Sequence, residues 1–220
     1  MSEPILIQSS GQGTLTLANY LRENDSKYDR CTDWSAYSTA SLILFFKILG
    51  KTSTQIVHLL EQFKLLGDFF PYNSIVTQPA AKNREYIKEY LLSHLEGSLF
   101  DRSSTMGDVR KVLGIDAKFI LYNSRLVRTN SESNLLNSVL SSLCSPSVYN
   151  SYDSYSCGIT VYPVVNDFKG VYIISKPVKM TVGKPTAFNG IEGLLFDDYV
   201  RRLEACQPVD AIVLEYTLSK

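Results

Sequence analysis

The sequence predicts an α+β fold in which a helical N-terminal layer packs against a small, mainly antiparallel C-terminal sheet. Of the 220 residues, 45% are hydrophobic and 20% are charged, which is typical of a globular chain with a substantial core. Helical periodicity dominates the first half of the chain, whereas strand-like segments dominate the second. Helices followed by strands, without a flexible linker between them, indicate the α+β class.

The same order of elements bears on domain organisation. We predict a single compact domain over residues 1–220, since that length can bury one continuous core. If the chain forms two lobes instead, the change in pattern divides it into a helical lobe, 1–105, and an α+β lobe, 106–220.

The first predicted helices surround the segment CTDWSAYSTASLILFFKILG, residues 31–50. A short helix is expected over residues 15–22, followed by a polar loop. Asp33 is then a suitable N-cap for a helix from Trp34 to about Leu49, which Gly50 ends. Apolar residues on all sides predict that this helix is buried. A membrane span is excluded because the uninterrupted apolar run, residues 42–46, is far shorter than the ~20 residues required.

The remaining helices of the first half follow from capping and periodicity. Thr52 and Gln55 have capping-box spacing and begin a helix that Gly67 ends. A loop with two prolines, residues 68–81, precedes a helix over residues 82–95. A shorter helix is expected over residues 108–113.

Strand patterns dominate the second half. We predict strands over residues 117–123, 178–182 and 210–218, and helices over residues 131–143 and 191–206. The segments GITVYPVV and GVYIIS are predicted to form a hairpin around NDFKG, with Gly170 at the exit of the turn.

Charge and motif content exclude several classes of function. The chain has 22 basic and 22 acidic residues, which argues against a dedicated nucleic-acid-binding protein. The Gly-x-Gly of SSGQGT lacks the lysine of a phosphate-binding loop, and no serine lies in a G-x-S-x-G motif. We therefore predict no cofactor.

The cysteines and histidines predict neither a metal site nor secretion. The four cysteines are far apart in sequence and form no C-x-x-C pair: Cys31, Cys144, Cys157 and Cys206. Two histidines cannot complete a zinc site with this spacing. The N-terminal sequence has no basic region followed by an apolar one, so we expect a cytoplasmic, non-secreted protein with free thiols. A bond between Cys144 and Cys157 is left open.

One catalytic hypothesis depends on Cys31. The stretch YDRCTDWSAYSTASLILFFKILGKTSTQ resembles the nucleophile helix of NlpC/P60 peptidases, a papain-like class, although Thr32-Asp33 replace its usual Ser-Gly. This resemblance implies a cysteine-dependent hydrolase in which His94 or His58 activates Cys31. A cysteine near a helix N-terminus would also have a stabilised thiolate.

The alternative hypothesis is a contact surface. Tyrosine and serine are typical of adaptable protein contacts, and one polar loop, SPSVYNSYDSYS, contains three tyrosines: Tyr149, Tyr152 and Tyr155. A basic segment follows, in which VKMTV resembles a strand of rhabdovirus matrix proteins. Its lysines, which RNA or an anionic membrane could contact weakly, are Lys169, Lys176, Lys179 and Lys184.

We favour the second hypothesis. The sequence predicts a non-catalytic interaction or assembly protein, such as a viral structural, matrix-like or accessory protein, that binds a protein partner or self-associates. Its candidate contact residues are Tyr149, Tyr152, Tyr155, Lys176, Lys179 and Lys184. The cysteine-dependent hydrolase remains the alternative function.

Overall fold

The computed structural model describes residues 2–11, 13–62, 80–143, 155–159, 161–178, 191–206, 208 and 210–217. The predicted α+β class is confirmed by eight helices and one six-stranded sheet among these residues. The sheet is mixed rather than mainly antiparallel. Most of the predicted strand over 178–182, most of the loop over 68–81 and the predicted helix end at Gly67 lie outside the described residues.

The sheet has the strand order β4-β3-β2-β1-β5-β6. Four of its five pairings are parallel, and only β3 and β4 pair in antiparallel fashion. The strands are β1 (Ile5–Ser9), β2 (Asp33–Ser38), β3 (Asp116–Asn123), β4 (Arg125–Arg128), β5 (Val171–Pro177) and β6 (Ile212–Tyr216). β1 lies between β2 and β5, so consecutive strands are added first on one side of β1 and then on the other.

The helices connect these strands. They are α1 (Gly13–Glu23), α2 (Asp25–Tyr28), α3 (Ala40–Ile48), α4 (Ser53–Gln62), α5 (Ala80–Leu95), α6 (Met106–Leu113), α7 (Leu135–Leu143) and α8 (Ile191–Cys206). Among the helices that the structure describes, none is long and apolar enough to cross a membrane.

Two predictions for the first half need correction. The residues from Asp33 to Ser38 form a strand, and the helix begins only at Ala40. Residues 5–9, where the sequence predicted no element, form the central strand β1. The side chains of β1 and β2 point alternately to the two faces of the sheet, and both faces are buried. These strands therefore lack the alternation of polar and apolar residues by which strands are usually recognised.

The two faces of the sheet pack separate cores. Ile5 and Ile7 of β1 belong to a larger core, while Leu6 belongs to a smaller one on the opposite face. The larger core contains side chains of α1, α3, α4, α5, α6 and α7, and the smaller one contains side chains of α8 and of residues 157–165. The sheet is therefore covered on both sides.

The prediction of a buried helix after residue 31 is confirmed for α3. Eight of its nine residues are buried, and Lys47 is the exception. A helix that is apolar on every side needs neighbours all round, and α3 contacts β1, β2, α1, α4 and α7.

The predicted hairpin around NDFKG is wrong in its pairing. β5 pairs with β1 and β6, both in parallel, and residues 157–170 form no regular strand in the part that is described. Gly170 does lie directly before β5, with a φ of 145°. A Cβ atom there would lie 2.3 Å from the carbonyl oxygen of Pro4, so only glycine fits this approach.

Candidate functional site

Ser38, between β2 and α3, has an unusual backbone conformation that among the described non-glycine residues is shared only by Ser124. Ser38 has a φ of 61°, a left-handed conformation that costs a non-glycine residue about 1–2 kcal/mol. A serine on a strained turn from a strand into a helix is the geometry of a nucleophile elbow. Here alanines flank it at positions 36 and 40, in AYSTA, where the usual motif has glycines.

The loop from β1 to α1 lies beside this elbow. Ser9 is opposite Ser38 in the parallel register, so both strands end at the same edge of the sheet. Ser9, Thr14 and Thr39 form a triangle of buried hydroxyl groups, with oxygen–oxygen distances of 2.6–3.1 Å. These hydrogen bonds fix the elbow against the Gly-x-Gly loop.

Gly13 allows α1 to approach the sheet closely. A Cβ atom at this position would lie 2.4 Å from Ser175 Oγ and 2.6 Å from the ring of Tyr216. The helix start is held in place by the Tyr216 hydroxyl, which donates a hydrogen bond to the carbonyl oxygen of Ser10 at 3.1 Å. The close packing at Gly13 therefore positions the start of α1 beside the edge of the sheet where the elbow lies.

The hydroxyl group of Ser38 has an unusual neighbour, the thiol of Cys157. Cys157 is fully buried, and this burial raises the pKa of its thiol. Hydrogen bonds from the Ser38 hydroxyl and from the backbone of Ile159 act in the opposite direction but are weaker. The thiol therefore keeps its proton at neutral pH and cannot accept one from Ser38.

A segment of the chain, of which residues 155–159 and 161–165 are described, covers this edge on the side of the smaller core. The Tyr37 hydroxyl donates to the carbonyl oxygen of Tyr162 at 2.7 Å, and Gln8 Nε2 donates to that of Pro163 at 2.6 Å. The Tyr172 hydroxyl donates to Gln8 Oε1. Ser38 is consequently only 5% exposed.

The buried tyrosines near this edge stay neutral. Burial raises the pKa of Tyr216 to about 12 and places the pKa values of Tyr37, Tyr172 and Tyr199 well above the ordinary range. The edge is therefore rich in uncharged hydroxyl groups, and it offers neither an imidazole nor a carboxylate to Ser38 among the contacts that the structure describes.

The residues of the cysteine hypothesis lie elsewhere and apart. Cys31 precedes a strand rather than a helix, so it has no helix dipole at its thiol. It is buried, and its Sγ donates to the carbonyl oxygens of Asp33 at 3.2 Å and Glu3 at 3.4 Å. The structure therefore removes the electrostatic reason for a reactive thiol at this position.

Neither histidine is among the described contacts of Cys31. His58 is exposed on α4 and hydrogen bonds to Gln62. His94 packs its ring against Phe46 and Tyr90, with centroid distances of 5.1 and 4.7 Å. Burial, and secondarily the charge of Lys51, lower the pKa of His94.

The predicted contact residues are only partly described. Tyr149, Tyr152, Lys179 and Lys184 lie outside the described residues, as does Cys144 of the possible pair with Cys157. Tyr155 is half-buried and packs against the larger core.

The two described lysines of the basic segment, Lys169 and Lys176, differ in their surroundings. Lys176 lies on β5, with its Nζ 3.6 Å from Glu204 and 3.9 Å from Glu215. Lys169 is exposed. The charge of Lys176 is thus largely offset, which weakens the case for a basic surface that contacts RNA or anionic lipid.

No cluster of three or more metal-ligating side chains occurs within the described part of the chain.

The sequence signal that would have revealed the elbow is a pattern shared by two segments. Two strand segments, ILIQS and DWSAYS, each lead through small residues into a helix. Parallel neighbours of this kind place their carboxyl ends together, where sites in such sheets usually form.

Comparisons with known proteins leave the family open. No protein-family model and no curated protein matches the sequence. Among solved structures, the chain is similar to one chain of the heterodimeric ExoU–SpcU complex from the type III secretion system of Pseudomonas aeruginosa, with a TM-score of 0.48 and 14% sequence identity. The match covers 93% of this chain and 51% of that one, so the chain spans about half the length of the protein that it matches.

Proposed function

We propose that the protein acts by binding rather than by catalysis, as an interaction or assembly protein whose elbow serine is inert. The observation that carries this proposal is the burial of Ser38, which is only 5% exposed at an edge covered by the segment that Tyr37 and Gln8 hold in place. The thiol of Cys157, its neighbour, has a raised pKa because it is buried. A serine becomes nucleophilic when an adjacent base removes its proton. A buried thiol with a raised pKa does not act as that base.

The covering segment supports the same conclusion. Hydrogen bonds to the carbonyl oxygens of Tyr162 and Pro163 hold this part of the segment over the elbow. A substrate carbonyl would have to displace this segment to reach Ser38. The elbow therefore serves as part of the packed structure.

The outer side of this segment is a candidate contact surface. Val161 and Tyr162 are 41% and 37% exposed, and the ring of Tyr162 lies 5.9 Å from that of Tyr122. Half-buried Leu126 of the edge strand β4 lies nearby, against Gly158. We call these four side chains, Tyr122, Leu126, Val161 and Tyr162, the elbow-side surface.

The composition of this surface favours a protein partner, and the charge of the chain favours a second copy. Aromatic side chains are enriched in protein interfaces, and edge strands readily pair with other chains. The formal net charge is zero at pH 7, so two copies approach without net electrostatic repulsion. We therefore expect self-association through the elbow-side surface.

Replacing Tyr162 tests this proposal. We expect the native protein to form dimers whose fraction rises with concentration in sedimentation velocity, and Tyr162→Ser to weaken the dimer at least tenfold, because aromatic side chains contribute strongly to interfaces. Tyr86→Ser is the matched control, since Tyr86 is 57% exposed on α5, away from this surface. A native protein that stays monomeric at all concentrations, or equal effects of the two variants, contradicts the proposal.

A further inference from the structure

A cavity lies away from the elbow, between α1, α2, α3 and the start of α4. Its volume is about 230 Å³. Its floor is apolar and buried, with Trp34 and Ile43 against the sheet and Ile56 from α4. Such a floor with a few polar groups at the rim is typical of small-ligand sites, and this volume suits a ligand of roughly ten heavy atoms or fewer.

The rim of the cavity has charges of both signs. Asp25 and Asp29 come from α2 and its end, and Lys47 and Lys51 come from the end of α3 and the residues after it. Within the described residues no ion pair joins these lysines to these aspartates. The acidic and basic groups at the rim are therefore not paired with each other.

Charged side chains of the rim are oriented by contacts with their neighbours. Lys47 Nζ lies over the ring of Trp34, 4.9 Å from its centroid, which holds the ammonium group at the cavity wall. Asp25 accepts a hydrogen bond from Ser53 Oγ at 2.6 Å, which fixes one carboxylate near the first residue of α4. Thr52 and Ser53 also line the cavity, where Thr52 Oγ1 accepts a hydrogen bond from the backbone N–H of Gln55.

From this arrangement we infer that the cavity binds a small zwitterion with an apolar body, of the class of a free apolar α-amino acid. The ligand carboxylate would meet Lys47 and Lys51, while its ammonium group would meet Asp25 and Asp29. Its apolar part would cover the floor. A ligand with one charge would satisfy only the lysines or only the aspartates of the rim.

Three probes of similar shape test this inference on the 220-residue chain. L-leucine has both charges, 4-methylpentanoate has only the carboxylate, and 3-methylbutan-1-amine has only the ammonium group. We expect L-leucine to bind at least tenfold more tightly in calorimetry than either of the other probes. Absence of L-leucine binding up to millimolar concentration overturns the inference, and so does equal binding of a probe with one charge.

Substitutions at the rim locate the binding. Lys51→Gln and Asp29→Asn should each weaken L-leucine binding at least tenfold, while the melting temperature without ligand stays near that of the native protein. Lys27→Gln is the matched control, because Lys27 is an exposed lysine beside Tyr28 that does not line the cavity. Unchanged binding in both rim variants would refute this location. The elbow-side surface takes no part in this site, so the two proposals fail independently.

Discussion

A base introduced at position 157 is expected to make Ser38 reactive. In Cys157→Asp a carboxylate takes the place of the thiol that contacts the Ser38 hydroxyl. Burial would raise the pKa of this carboxylate towards neutrality, the range in which a general base works best. We expect a fluorophosphonate probe to label Ser38 about 100-fold faster than in the native protein, because a positioned base contributes about 10²–10⁴-fold.

The control for this gain is Cys157→Asn, which has nearly the same shape as Cys157→Asp but no basic group. Near-ultraviolet circular dichroism would first show that both variants keep the native packing. If both variants are folded and Ser38 is labelled equally slowly in each, a carboxylate at position 157 does not activate Ser38, and the prediction is wrong. Fast labelling of the asparagine variant would mean that disruption of the covering segment, rather than basicity, exposes Ser38.

Adding one methyl group at Gly13 is expected to be among the most damaging small changes in the fold. The new Cβ atom in Gly13→Ala would overlap Ser175 Oγ and the ring of Tyr216, both of which are buried. The α1 helix would have to move away from β5 and β6. We expect a loss of about 2–3 kcal/mol in the free energy of unfolding, measured by urea denaturation.

Gly114→Ala is the comparison for this effect. Gly114 has a φ of 67° at the end of α6, and a Cβ atom added there would have no neighbouring atom within 4 Å, so its substitution measures backbone strain alone. That strain costs about 1 kcal/mol. If Gly13→Ala is no more destabilising than Gly114→Ala, α1 is not packed as closely against the sheet as described.

Local sequence signals predicted the helices better than the strands. In the capping box, the backbone N–H of Thr52 donates to Gln55 Oε1 at 2.9 Å, and the backbone N–H of Gln55 donates to Thr52 Oγ1 at 3.2 Å. This motif could be predicted because it depends only on neighbouring residues. The strand DWSAYS was interpreted as a helix because its pairing partners, ILIQS and DAKFI, are distant in sequence. Parallel pairing leaves no local turn signal, which is why the sheet was expected to be mainly antiparallel.

The candidate site was missed for a related reason. Without flanking glycines, Ser38 does not match the usual motif, and its φ of 61° is set by the junction of β2 and α3. Its contact with Cys157 joins residues that are 119 positions apart and depends on the whole smaller core. By contrast, the burial of α3 follows directly from its composition and was predicted correctly.

The central claim, that Ser38 is held by Cys157 and inert, is tested most directly by peptide mass spectrometry of the native protein after exposure to a fluorophosphonate probe near pH 7.5. We predict that Ser38 is labelled no faster than the exposed Ser26 of α2. Rapid and stoichiometric labelling at Ser38, abolished in Ser38→Ala, would contradict this account and show that the elbow is an active site.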